Sequence, residues 1–124
     1  MLVAEDEPAV GTFLGELLAR DYAVEVVADG ELAWQAVQNH RPDLVLSDVQ
    51  MPRLDGIRLT HRLRTHPLTA TVPIILLTAC LSPSVVARGQ EAGANDVLLK
   101  PFRASEVLTC VQRHLAGKPG TGTA

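Results

Sequence analysis

Short runs of consecutive apolar residues alternate along this chain with longer stretches whose apolar positions recur every three or four residues. The runs are Leu2-Val3-Ala4, 23–28, Leu44-Val45-Leu46-Ser47, 74–77 and 97–99. Apart from Glu25 and Ser47 these positions are apolar; each run predicts a strand, and the unbroken run 74–77 predicts one covered on both faces. Between them, Val10, Phe13, Leu14, Leu17 and Leu18 trace one helical stripe, followed by Ala33, Trp34 and Val37, then Ile57, Thr60 and Leu63. Val85 and Val86 are expected to face inward from a fourth helix, and Val107, Leu108, Val111 and Leu115 mark a fifth. The punctuation agrees with these limits. Pro8 suits a first helical turn, Asp29-Gly30 is a turn signal, and Arg41-Pro42-Asp43 breaks the second helix. Asp55 is placed to cap the third helix, 67–73 reads as a loop, Ser82-Pro83 opens the fourth helix and Gly93 ends it.

Five β-α units in succession predict an α/β fold. Right-handed crossovers between parallel strands place helices on both faces of the sheet, giving a three-layer αβα sandwich. The expected strand order is 2-1-3-4-5, the flavodoxin-like arrangement. At 124 residues the chain has room for one core. The domain is expected to span 1–116, with 117–124, rich in Gly and Thr, as a flexible linker or C-terminal tail. The net charge of −3 offers no basic stripe for direct nucleic-acid binding. No apolar stretch has the length of a membrane span and no signal-peptide pattern opens the chain. Cys80 and Cys110 lack metal-ligand spacing and read as reduced thiols of a cytoplasmic protein.

Four strands end in reactive side chains: Glu5-Asp6, Asp48, Thr78 and Lys100. In an open parallel sheet the carboxyl edge is where ligands bind. Three carboxylates brought together raise one another's pKa unless a cation intervenes, and a hard divalent ion such as Mg²⁺ with oxygen ligands resolves that conflict. The rival reading of Glu5 and Asp6 is a pair of solvated acids at a helix start; Asp48 and Lys100 favour the metal site. Lys100 then balances charge and donates to a phosphoryl oxygen, Thr78 offers a hydroxyl to the same group, and Asp48 is the candidate nucleophile for an acyl phosphate. Gln50 and Cys80 flank the site and are expected to tune water access, and so hydrolysis.

These residues resemble the receiver domain of bacterial two-component response regulators. The matching elements are Glu5-Asp6-Glu7-Pro8, Asp48 with Met51-Pro52 and Asp55-Gly56, Thr78-Ala79, Ala92-Gly93-Ala94-Asn95-Asp96, and Lys100-Pro101-Phe102, in order across 1–116. The resemblance implies that Asp48 takes a phosphoryl group from a phosphohistidine of a histidine kinase or phosphotransfer protein. It implies Mg²⁺ on Asp6, on Glu5 through water, on Asp48 and on the Gln50 backbone carbonyl. Thr78 and Lys100 would grip the phosphoryl group, and a cis bond is expected at Lys100-Pro101. The fourth-helix, fifth-strand and fifth-helix face would shift between two states and engage an effector or a C-terminal output domain. Such a receiver contributes to its own phosphoryl transfer and dephosphorylation, with no separate small-molecule substrate.

Two positions depart from that pattern. Val97 stands where the family usually has an aromatic ring that swings inward, and a stiff, small valine cannot serve as that switch. The first strand begins at Met1, whereas the family normally has a few residues more before its acids, so a truncated or misassigned start and a weakly held edge are expected. Arg88, Glu91, Asp96 and Arg113 supply some of the charge used by receivers that form homodimers through the switch face. Cys110 and Ala116 stand where basic residues would be sought, which argues for a solvated surface. The alternative function is a degenerate receiver acting as a phosphorylation-independent binding module. A phosphatase of the haloacid-dehalogenase type would need an aspartate at position 50, where Gln50 cannot do acid-base work. A flavin site would need a Ser-, Thr- or Gly-rich loop where Glu5 and Asp6 stand.

Overall fold

The computed structural model describes residues 1–80 and 82–116; the tail expected over 117–124 lies outside the described residues. Ten elements alternate: β1 (Leu2–Ala4), α1 (Pro8–Leu18), β2 (Glu25–Val27), α2 (Gly30–Asn39), β3 (Val45–Asp48), α3 (Gly56–Thr65), β4 (Ile74–Thr78), α4 (Pro83–Ala92), β5 (Asp96–Leu99) and α5 (Ala104–Ala116). All pairings are parallel and the strand order is β2-β1-β3-β4-β5. The expected flavodoxin-like sandwich is the fold. β2 is shorter than 23–28, because only its middle pairs with β1 and its outer side is solvated.

Successive strand residues point to opposite faces, and two cores result. Leu2, Ala4, Val45, Ile74 and Leu76 pack with Ala33 and Val37 of α2 and Ile57, Leu59 and Leu63 of α3. Val3, Leu46, Ile75 and Leu77 pack on the other side with Leu14, Leu17 and Leu18 of α1 and Val107, Cys110 and Val111 of α5. Phe13 is the exception to the α1 stripe. It is 41% exposed and its ring stacks on Phe102 with centroids 6.4 Å apart, outside the core. Val85 packs against the first core, whereas Val86 is half-buried.

Helix starts follow the capping chemistry. The Asp29 carboxylate accepts the Leu32 N–H at 2.9 Å, Asp55 accepts from Arg58 at 2.8 Å, and Ser82 accepts from Val85 at 3.2 Å. Gly93 closes α4 with φ 108°, the left-handed conformation that glycine adopts without a Cβ penalty.

Arg64 is a structural residue that its place on a basic helix did not announce. Its guanidinium donates to the carbonyls of Val72 (2.7 Å), Gly93 (2.9 Å) and Thr69 (3.4 Å) and to Asn95 Oδ1 (2.8 Å). Asn95 Oδ1 also accepts the Ile74 N–H at 2.8 Å. One side chain therefore ties the end of α3 to the start of β4 and the end of α4. Burial pulls its pKa below the usual guanidinium value. Arg64→Ala strands these acceptors and is expected to cost about 2–3 kcal/mol, read as a lower urea midpoint. Lysine cannot reproduce the fork, so Arg64→Lys should recover less than half. An unchanged midpoint in Arg64→Ala would refute the clamp.

Candidate phosphoacceptor site

The parallel register brings the four strand ends to one edge. Ala4 lies beside Ser47, Asp48 beside Leu77 and Thr78 beside Leu99, so the residues that follow β1 and β5 flank the end of β3 and β4. The Lys100 N–H donates to the Thr78 carbonyl at 2.7 Å, which fixes where the lysine leaves the sheet. The Lys100-Pro101 peptide is cis, as the resemblance implies.

Asp48 is 6% exposed and Glu5 3%, while Asp6 is exposed. One carboxylate oxygen from each of the three lies within 4.8 Å of the others. Lys100 Nζ sits among the acids, 3.0 Å from Asp48 Oδ2, 2.9 Å from Glu5 Oε1 and 3.2 Å from Glu7 Oε1. Sequence gives Glu7 no role beyond its place in Glu5-Asp6-Glu7-Pro8; a third acid in an exposed turn looks like a solvated residue until the lysine's reach is known. Burial works against the Lys100 charge, but the carboxylates of Glu5 and Asp48 close around it more than offset it and its pKa rises. The Asp48 pKa rises too, which for a carboxylate favours the neutral form. Burial pushes it up most, the Lys100 bond pulls it down, the Glu5 charge adds to the rise, and the outcome is a pKa of about 7.

This cluster fits a hard cation. The donors are oxygens, the ligand type Mg²⁺ takes. Glu5 Oε2 is occupied by the Glu7 N–H at 3.1 Å, whereas Glu5 Oε1 is buried and, although Lys100 Nζ stands close, accepts no well-directed hydrogen bond. A buried carboxylate oxygen left in that condition is costly, and a cation would relieve both it and the Asp48–Glu5 repulsion.

The remaining predicted residues fall around this centre. The Thr78 hydroxyl is engaged in its own turn, donating to the Cys80 carbonyl and accepting the Cys80 N–H, both at 3.1 Å. Cys80 is exposed and so is Gln50, just past β3. Val97 lies on β5 opposite Leu76, half-buried against the first core. Cys110 departs from its expected place on a charged surface: it is 1% exposed and part of the second core. A concavity lined by Met1, Tyr22, Val24, Arg41, Pro42 and Leu115 lies at the amino edge of the strands, away from Asp48.

Known proteins carry the same pattern. The chain is 42% identical over 109 residues to the gliding motility regulatory protein of Myxococcus xanthus, covering 87% of this chain and 14% of that protein. It spans about half the length of some shorter curated relatives. A response regulator structure from Chloroflexus aurantiacus superposes with a TM-score of 0.88 at 41% identity, covering 93% of this chain and 95% of that one. The receiver domain of the sensor histidine kinase PA1611 from Pseudomonas aeruginosa matches at 35% identity, TM-score 0.86, over 93% of this chain and 95% of its own, and holds a magnesium ion in its active-site cleft. The family described as response regulator receiver domain matches residues 1–112. With that match over a five-stranded 2-1-3-4-5 sheet, the chain belongs to the response regulator receiver domains of two-component signalling.

Proposed function

We propose that Asp48 accepts a phosphoryl group from the phosphohistidine of a histidine kinase or phosphotransfer protein. The observation that carries this reading is the convergence of the Lys100 ammonium and three carboxylates on one strand end. An Asp48 oxygen attacks phosphorus, the P–N bond to the imidazole breaks, and its electron pair returns to the ring nitrogen, leaving an acyl phosphate. Lys100, already bonded to Asp48, donates to a phosphoryl oxygen and holds positive charge where negative charge gathers. Asp6, Glu5, Asp48 and the Gln50 carbonyl would hold Mg²⁺, which when bound neutralises charge on the phosphoryl oxygens. Thr78 leaves its Cys80 turn to bond the phosphoryl group, and that exchange biases the α4-β5-α5 face toward its partner or output domain.

The protein acts in this reading as a cytoplasmic signalling receiver that catalyses its own phosphoryl transfer and dephosphorylation, with Gln50 and Cys80 setting water access. Among the described residues no helix is long and apolar enough to cross a membrane. The test is intact mass after incubation with acetyl phosphate, with and without Mg²⁺. A single phosphate adduct that requires Mg²⁺ and disappears in Asp48→Asn is expected. An adduct retained by Asp48→Asn would refute the assignment. A folded protein with no adduct would favour a binding module independent of phosphorylation, the reading for which Val97, in place of the switch aromatic, speaks.

A further inference from the structure

At the opposite edge of the sheet, the side chains of Asp96, Cys110 and His114 meet although 14 and 18 residues separate the last two from the first. Asp96 opens β5; Cys110 and His114 are four apart on α5 and so share one face of it. Their ligand atoms all lie within 4.8 Å of one another. The two oxygens of Asp96 have separate roles. Oδ1 accepts the Val97 N–H at 2.9 Å, which fixes the carboxylate plane. On Oδ2 converge Cys110 Sγ at 3.3 Å, His114 Nε2 at 3.2 Å and Arg113 Nη1 at 3.5 Å.

We propose that Asp96, Cys110 and His114 bind one divalent transition-metal ion of the zinc class. Carboxylate, thiolate and imidazole together are a zinc-type ligand set rather than a magnesium-type one. A tetrahedral ion with ligands about 2.0–2.3 Å away sets those ligands roughly 3.3–3.7 Å apart. The two separations from Asp96 Oδ2 are near that value, and a turn of the partly exposed His114 ring closes the third edge. A Cys and a His four apart on one helix present both donors from adjacent turns, the same spacing that lets paired histidines on a helix share a zinc ion. The Val97 N–H supplies the outer-shell bond that orients the Asp96 carboxylate.

Without the ion these groups form a closed hydrogen-bonded set. The buried thiol gives its hydrogen to Asp96; burial first, and the Asp96 bond next, push the thiol up to about 12. Burial raises the Asp96 carboxyl, yet the bonds from His114, Cys110 and Val97 hold it below its ordinary value. Binding exchanges the thiol proton for the ion. That proton leaves to solvent, the proton His114 directs at Asp96 from Nε2 is exchanged through solvent for one on Nδ1 so that Nε2 is free to bind, and the charges of thiolate and carboxylate cancel the dication. Arg113, whose side chain is 64% exposed, swings into solvent and leaves the fourth position to water. The bound ion would pin α5 to β5, within the face proposed above to carry the signal, although the metal site does not depend on that reading.

Cobalt(II) is the probe, titrated into the full chain carrying Cys80→Ser, with excess Mg²⁺ to occupy the acidic edge. The expected result is one equivalent bound with a sulfur-to-cobalt charge-transfer band in the near ultraviolet. That band should be displaced by Zn²⁺, and Zn²⁺ should raise the melting temperature. His114→Gln keeps a side-chain donor for Asp96, so the variant should melt near the parent without metal. Its cobalt affinity should fall at least about ten-fold, the size of loss seen when even supporting groups of a metal site are removed. Absence of the thiolate band in the folded Cys80→Ser protein would overturn the proposal. So would a band of undiminished affinity in His114→Gln, or cobalt binding that Mg²⁺ removes.

Discussion

Replacing Gly56 with alanine is expected to destabilise the protein by about 3 kcal/mol, the upper range for overpacking a tight contact, and to slow phosphate uptake at Asp48. A Cβ at position 56 would stand 2.2 Å from the Asp48 carbonyl oxygen, 3.0 Å from its carbon and 3.1 Å from Ser47 Oγ. These neighbours cannot step aside cheaply. The strand end is held by the Val49 N–H to the Leu77 carbonyl at 2.8 Å, and Gly56 is held by its own N–H to the Val49 carbonyl at 2.8 Å. From the other side, the Thr60 hydroxyl donates to the Gly56 carbonyl at 2.7 Å. Relief must come from backing α3 out of the core, where Ile57, Leu59 and Leu63 are buried, or from displacing the backbone that carries the phosphoacceptor. Both routes cost stability and the second costs function as well. Gly56 thus links fold to chemistry: the loop after β3 can turn straight into α3 only because a helix start lies against the strand end. Denaturant midpoints and the rate of the Mg²⁺-dependent mass adduct measure the two effects. A variant with the parental midpoint and rate would show that the loop yields freely.

Most of the architecture was legible because it depends on short-range rules. Continuous apolar runs marked four of the strands, and Asp55, Ser82 and Gly93 fixed helix limits through local backbone bonds that any chain would make. The positions of Glu5, Asp6, Asp48, Thr78 and Lys100 followed from strand ends alone, since a parallel sheet gathers its carboxyl ends on one edge. What was not legible depends on contacts between distant elements. A helical stripe gives a direction but not the width of the buried face, so Phe13 counted as core while it stacks on Phe102 at the surface. Arg64 on a basic helix looks like its solvated neighbours, and only the closeness of Val72, Gly93 and Asn95 makes it a clamp. Cys110 was given no metal-ligand spacing, because Asp96, which joins it and His114, does so only through the packing of α5 on β5. Cys110 was read as a surface position for the same reason.

In Mg²⁺-free buffer the stability of the parent should fall between pH 4 and pH 8, and the fall should be absent in Asp48→Asn. The Asp48 carboxyl titrates at about 7 in the folded protein against 3.8 for the ordinary side chain. Between those values the folded chain holds a proton that the unfolded chain has released, so unfolding is favoured as pH rises. The decline begins near the unfolded value and levels off above the folded one, and at 1.36 kcal/mol per pKa unit its ceiling is about 4 kcal/mol. Lys100 does not confuse the profile. Its pKa is raised, so its contribution is fully present below the unfolded value of 10.5 and is constant across this window. Asparagine weakens one Lys100 contact, but Glu5 and Glu7 remain, so that loss shifts the whole curve without tilting it. The slope against pH is therefore the readout. Adding Mg²⁺ should flatten the parental decline, because an ion that requires ionised Asp48 stabilises the folded state where the carboxylate otherwise weakens it. Urea midpoints at pH 4, 6 and 8, with chelator or with Mg²⁺, decide the matter. Parallel profiles for parent and variant in chelator would mean that burial and Glu5 do not hold the Asp48 proton. The price of keeping a poised acceptor in this fold would then have to be sought elsewhere than in its charge.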